Sequence, residues 1–177
     1  HEGPNLLSTA SNLKLDNNVV FSKDRIDFNQ MNILYNISDF CINISFAEGF
    51  GLGTLEAMMT GTPIVATCTG GMTRQVIDHR DETQNGVALP VEMQTMVGSQ
   101  GVPYIYEDYV SNHTVAKGIM KMYMLNPQER EKLNEKVLNY ARGEFSYTKM
   151  IESWNSTLIN VHKNWSSKYR RWEQITL

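Results

Sequence analysis

The residues best suited to chemistry lie in one stretch, Ser45-Phe46-Ala47-Glu48-Gly49-Phe50-Gly51-Leu52-Gly53-Thr54-Leu55-Glu56-Ala57. An apolar run ends there, glycines follow, and good helix formers take over. The first turn of a helix leaves several backbone N–H groups without partners and gathers about half a positive charge. The turn therefore predicts a seat for an anion, phosphate above all. Gly49 and Gly51 are expected to take positive φ and to let the backbone approach a ligand closely, which a side chain would oppose. Glu48 precedes the helix and Glu56 lies about one turn inside it, so the two carboxylates bracket the seat. Ionised carboxylates only accept hydrogen bonds, and paired sugar hydroxyls donate them. Phosphate held between two readers of hydroxyls describes a nucleotide sugar. The plainer alternative is a helix start decorated with dipole-favoured acids. A dinucleotide turn fits less well: Gly49-Phe50-Gly51-Leu52-Gly53 has one residue too few between its last glycines, and no acid stands about 20 residues on. A phosphate loop of the Gly-Lys-Ser/Thr type is excluded.

Several elements must position this stretch. Asn18 to Ser22 reads as a short strand, and Phe28, Met31, Ile33, Leu34 and Ile37 recur at mostly helical spacings. Phe40 to Ile44 is expected to be a strand buried on both faces. A short helix from Gly53, closed by Gly61, leads to a second buried strand at Pro63 to Thr67. Thr69-Gly70-Gly71 turns the chain, Thr73 to Asp78 reads as a helical turn, and Gly86 to Leu89 is a further strand. This alternation predicts an α/β fold with a doubly wound parallel sheet and helices on both faces. Val91 to Tyr109 lacks a period and reads as a long loop, with a β-ribbon at Tyr104 to Tyr106 as its one regular piece. Helices are expected at Ser111 to Leu125, Pro127 to Arg142 and Ser146 to about Trp165, with Gly143 at the last break.

Composition sets the limits. The chain has 177 residues, enough for one domain. Sixteen Lys and Arg against nineteen Asp and Glu give a net charge of -3, so no basic field draws nucleic acid. Cys41 and Cys68 are read as buried free thiols, and a reducing cytoplasm fits them. The five Asn-x-Ser/Thr sequons are read as chance. No run of 18 apolar residues is present. The four histidines show no ligand spacing, so no metal site is expected. Met120, Met122 and Met124 with Tyr123 read as gap-filling core. Residues 1–165 are taken as one lobe and residues 166–177 as a basic aromatic tail. The first residue is His1 rather than Met, from which a fragment is expected.

The motif region resembles the donor-binding C-terminal lobe of the retaining, family 4 glycosyltransferases, which have the two-lobed GT-B fold. The resemblance rests on Glu48-x7-Glu56 within Ser45 to Leu52, on Leu34-Tyr35-Asn36-Ile37-Ser38-Asp39, on Glu56-Ala57-Met58, on Gly61-Thr62-Pro63-Ile64-Val65-Ala66 and on Gly70-Gly71. It covers about residues 18 to 90 and implies a three-layer Rossmann-like lobe with a helical C-terminal tail. It also implies that Glu48 contacts the donor sugar near the reacting carbon, that Glu56 holds the ribose diol, and that the amides of Gly49, Phe50, Gly51 and Leu52 contact the sugar and diphosphate. Lys23 and Arg25 fall where the family's base-reading loop lies. No cofactor is implied beyond the nucleoside diphosphate sugar, and no metal. The hydroxyl acceptor would be held by an N-terminal lobe, onto which the basic aromatic end would cross in preference to a membrane. The lobe by itself is expected to bind rather than turn over. Two departures stand out. The family's diphosphate Arg and Lys come from a first βα unit that these residues do not include, and Arg74 or Gln75 stands where an acid usually follows the Gly pair. The competing classes are an inert nucleotide-binding module and an NAD-linked oxidoreductase domain.

Overall fold

A computed structural model describes residues 4–22 and 24–168. The chain begins with helix α1 (Leu6–Asn12), then α2 (Phe28–Ile37), strand β1 (Cys41–Asn43), α3 (Leu52–Met59), β2 (Ile64–Thr67), α4 (Met72–Val76) and β3 (Gly86–Leu89). An antiparallel hairpin of β4 (Met93–Ser99) and β5 (Val102–Tyr109) follows, and α5 (Asn112–Tyr123), α6 (Pro127–Glu144) and α7 (Tyr147–Lys168) complete it.

The first three strands form a parallel sheet in the order β1-β2-β3, with Cys41 opposite Ile64 and Ile64 opposite Gly86. Residues of β2 are buried throughout because both faces of the sheet are covered. Ile64 and Ala66 point into one core with Met58 of α3, Met72 and Val76 of α4, and Val137, Tyr140 and Ala141 of α6. Val65 points the other way, joining Val87, Leu89 and Met122 of α5 in a second core. This is the expected three-layer α/β arrangement, with successive residues of a strand feeding opposite layers.

Local chemistry sets the helix starts. At α6 the Asn126 side chain accepts from the Glu129 amide and the Glu129 carboxylate accepts from the Asn126 amide, both at 2.9 Å, with Pro127 in the first turn. This reciprocal pairing satisfies two amides that the helix leaves open. Asp27 caps α2 through the Asn29 amide at 3.0 Å.

Six expectations are corrected. Residues 18–22 form no strand: Val20 is almost fully exposed, and nothing among the described residues pairs with the segment. Residues of β1 are not buried on both faces, since Ile42 and Ile44 remain 43% and 46% exposed at this edge. Accordingly Cys41 and Cys68 are only partly buried, although burial still raises the pKa of both thiols. The 91–109 segment is a hairpin rather than a long loop: the ribbon expected at Tyr104 to Tyr106 extends over all of β5, paired with β4, with a register shift between Val97 and Ser99. Gly143 lies inside α6, and the helix break falls at Phe145 and Ser146. Of the methionine cluster only Met122 is core, whereas Met120, Tyr123 and Met124 are exposed. Residues 169–177, which hold Tyr169, Arg170, Arg171 and Trp172, lie outside the described residues, as does Lys23. Among the described residues no helix is long and apolar enough to cross a membrane.

Candidate functional site

The loop from β1 to α3 leaves the carboxyl end of the sheet, where ligands of parallel α/β folds bind. Asn43 shapes its start, its side-chain oxygen accepting from the Ser45 amide at 3.0 Å and hydroxyl at 2.7 Å. The loop enters α3 through Gly51 at φ 84°, ψ 62°. A Cβ at Gly51 would lie 2.7 Å from Thr54 Oγ1 and 2.8 Å from Met72 Cγ, so both the turn and the packing call for glycine. No side chain of Gly51 caps the helix, and the mouth is open: Leu52 is 69% exposed. The Gly51 amide instead donates to Glu48 Oε1 at 3.2 Å, so a carboxylate already rests on one of the amides of the seat. Gly49 does not take positive φ, which corrects that part of the expectation, and a Cβ built on it meets nothing within 4 Å. Phe50 turns its ring toward Phe145, 6.0 Å between centroids.

The turn after β2 backs this loop. Gly70 has φ 47°, and a Cβ there would lie 1.8 Å from the Glu48 carbonyl oxygen; the Gly71 amide donates to the Gly49 carbonyl at 3.1 Å. The two turns thus meet backbone to backbone. Gln75, fully buried on α4, donates from Nε2 to the carbonyls of Phe50 at 2.6 Å and Gly51 at 3.2 Å. The Arg74 guanidinium is engaged elsewhere, by Glu144 of α6 and, at 3.4 Å, by His79.

Glu56 faces α2. Its Oε2 accepts from the Tyr35 hydroxyl at 3.1 Å. Burial, that hydrogen bond and the nearby negative charge push the Tyr35 pKa up to about 12. Glu56, Tyr35, Phe28, Met31, Leu52 and Met59 line a hollow of about 450 Å³ between α2 and α3. An adjoining hollow of similar size is lined by Arg25, Asp27, Phe28 and Glu56. The fold therefore brings Arg25 and Glu56 together on the α2 side and Glu48 onto the glycine loop.

Sequence reasoning missed three supports of the site. Tyr35 was visible only as a member of a longer motif, and Gln75 only as a departure from the pattern after Gly70-Gly71. The third is the hairpin root, where the Asp108 amide donates to the Phe46 carbonyl at 2.7 Å and the Tyr109 and Phe46 rings stack with centroids 4.4 Å apart. The Thr69 hydroxyl and, at 2.6 Å, the Gln94 amide hold the Asp108 carboxyl below its ordinary range. Among the described residues no three His, Cys, Asp or Glu side chains gather closely enough to hold a metal ion.

The glycosyl transferases group 1 family matches residues 2–98, a span that contains both glutamates, both glycine turns and all three parallel strands. The chain belongs to that family. Over 79 residues this member of the family is 34% identical to D-inositol 3-phosphate glycosyltransferase 2 of Catenulispora acidiphila, covering 44% of the chain and 18% of that protein. It is 37% identical over 49 residues to a trehalose synthase of Pyrococcus horikoshii, covering 28% and 12%. The matched segments thus span less than a fifth of these relatives. Its fold matches sucrose-phosphate synthase from Thermosynechococcus elongatus with a TM-score of 0.67 at 19% identity, over 89% of this chain and 34% of that one. It also matches the catalytic domain of starch synthase IV from Arabidopsis thaliana, bound to ADP and acarbose, with a TM-score of 0.56 at 21% identity, over 85% and 29%. The architecture is that of a GT-B glycosyltransferase lobe.

Proposed function

We propose that this group 1 glycosyltransferase binds a nucleoside diphosphate sugar and is the donor lobe of a retaining enzyme that moves the sugar to a hydroxyl acceptor. One observation carries the reading. The open mouth of α3 presents outward amides beside Glu48, and the same helix offers Glu56 to a separate hollow one to two turns away. Diphosphate fits the amides, and a ribose diol fits the Glu56 carboxylate, which has acceptor capacity left after accepting the Tyr35 hydrogen bond. A base would then lie in the adjoining hollow against Arg25 and Phe28.

In the transfer itself, the bond between the anomeric carbon and the diphosphate oxygen breaks. The acceptor oxygen bonds to that carbon from the same face, and its proton passes to the departing diphosphate, so configuration is retained without a protein nucleophile. The amides of Gly49, Phe50, Gly51 and Leu52 stabilise charge developing on the leaving group, and Glu48 holds the sugar hydroxyls as the ring gains positive character. Glu48 must leave the Gly51 amide for this, vacating it for phosphate. No metal is required by this scheme. The acceptor is assigned to a second lobe, whose closure would align the reactants and exclude water.

A melting-temperature screen against UDP, GDP, ADP, their common sugars and NAD tests the proposal, since a ligand of the native state raises stability by mass action. One nucleoside diphosphate and its sugar should stabilise the chain, and Glu56→Ala should abolish the gain. Stabilisation by NAD alone, or by nucleotide regardless of Glu48 and Glu56, would defeat it.

A further inference from the structure

We infer that Gln75 is a positioning residue that aims the amides of the α3 mouth at the diphosphate, an inference that rests on the donor-lobe reading above. Gln75 has no solvent exposure, yet its carboxamide is fully used. Nε2 donates to the Phe50 carbonyl at 2.6 Å and the Gly51 carbonyl at 3.2 Å. Oε1 lies 2.5 Å from the Thr54 hydroxyl, whose oxygen is also 2.7 Å from the Gly51 carbonyl. Two carbonyls in reach demand donors, which fixes Nε2 on their side and Oε1 toward Thr54.

The consequence follows from peptide geometry. Within one trans peptide unit the C=O and the next residue's N–H point in opposite directions. Drawing the Phe50 carbonyl inward to Gln75 aims the Gly51 N–H outward, and drawing the Gly51 carbonyl inward aims the Leu52 N–H outward. Glu48 Oε1, 3.2 Å from the Gly51 nitrogen, marks that outward direction with an acceptor. The Gly51 carbonyl also accepts from the Leu55 amide at 3.1 Å, so α3 itself holds the second plane; the first has no such helical bond, and Gly51, in the left-handed region, adds little steric restriction of its own. The buried amide supplies the missing restraint from a neighbouring helix. A carboxylate at the same position has no proton to donate, and an apolar side chain has neither donor nor acceptor.

The 177-residue chain with Gln75→Met and, separately, Gln75→Glu tests this. The probes are UDP, GDP and ADP, their parent nucleosides, and the amide spectrum without ligand. In both variants affinity for the bound diphosphate should fall roughly tenfold to a hundredfold, the scale of losing aligned bonds to a charged group. Affinity for the parent nucleoside should stay within about twofold, because it is read on the Glu56 side. The ligand-free readout is the Gly51 amide proton resonance, which should move on Glu48→Gln in the wild-type background and stay still in the Gln75→Met background. Equal losses for nucleoside and diphosphate, an unchanged diphosphate affinity, or the same Gly51 response in both backgrounds would overturn the inference. So would collapse of the folded spectrum in both variants, which would make Gln75 a core residue only. If the wild type binds no diphosphate at all, the donor-lobe reading fails, and the Gly51 response still decides the role of Gln75.

Discussion

Replacing Gly70 by alanine should damage the site through the backbone alone. The residue sits at φ 47°, where an L side chain costs about 1–2 kcal/mol. Its Cβ would stand 1.8 Å from the Glu48 carbonyl oxygen, against roughly 3.0 Å for the tightest real contacts, so the Glu48 loop must recede by about 1.2 Å. The 3.1 Å bond from the Gly71 amide to the Gly49 carbonyl cannot survive that retreat, and a buried backbone hydrogen bond contributes about 0.5–1.5 kcal/mol. The expected loss is about 2–3 kcal/mol, which for a chain of this size lowers the melting temperature by roughly 4–12 °C. Urea unfolding at 25 °C measures the first quantity and calorimetry the second, while titration with the stabilising nucleoside diphosphate reports the seat. Diphosphate affinity should fall at least about tenfold, because the amides move by about two-fifths of a hydrogen-bond length. A melting temperature within about 1 °C of wild type would refute the backbone contact. A large stability loss with unchanged diphosphate affinity would refute the link between that contact and the seat.

Other substitutions separate the remaining parts. Gly49→Ala meets no atom within 4 Å and needs no left-handed backbone, so stability should change by less than about 0.5 kcal/mol in urea, while titration calorimetry should show weaker diphosphate binding because the methyl stands where the ligand approaches. Glu56→Gln removes the charge and weakens the hydrogen bond that help raise Tyr35; its pKa should drop from about 12 toward the ordinary 10.0 yet stay above it, since burial is the largest cause, and the Tyr35 ring carbon resonance followed through alkaline pH would show this. Asp78 is held at about 2 instead of 3.8, chiefly by the Arg80 guanidinium, which bonds it at 2.6 and 2.8 Å. A depressed carboxyl stabilises the fold above its unfolded value and loses that contribution as pH falls through the folded one. Asp78→Asn should therefore flatten the fall in stability between about pH 4 and pH 2, read from urea midpoints, while lowering stability at neutral pH.

Much of this fold was legible because burial writes itself into sequence. Pro63 to Thr67 and Gly86 to Leu89 lie against layers that cover them, and their apolar runs read as strands; Phe28 to Ile37 kept a helical spacing although no residue of α2 is buried. The hairpin of β4 and β5 was not legible for the same reason reversed. Met96, Ile105 and Tyr106 are exposed on both of its faces, so no alternation between apolar and polar residues was required there. Asn18 to Ser22 has the composition of a strand, but composition does not supply a pairing partner. The first motif glutamate and the glycine turn were readable, since local backbone chemistry demands those residue types in place. Their supports were not, because Gln75 reaches the Phe50 carbonyl across 25 positions and Tyr35 reaches Glu56 across 21.

That division explains how the same glycines can be informative and misread. Gly70 and Gly71 read from sequence only as a turn, yet their lack of side chains is used on the Glu48 to Phe50 backbone. The seat is therefore made by two consecutive βα turns, one presenting amides and the other pressing them into place. Gly49, whose space is empty, is the glycine left for a ligand to explain. A rigid backing matters most for an anion site built from amides, because each N–H contributes only a partial charge and only when it points at the oxygen. Under the proposed donor-lobe function, tethering the loop by Gly71 at one end and Gln75 at the other would hold that direction before the donor arrives, which is where such a site gains over solvent water.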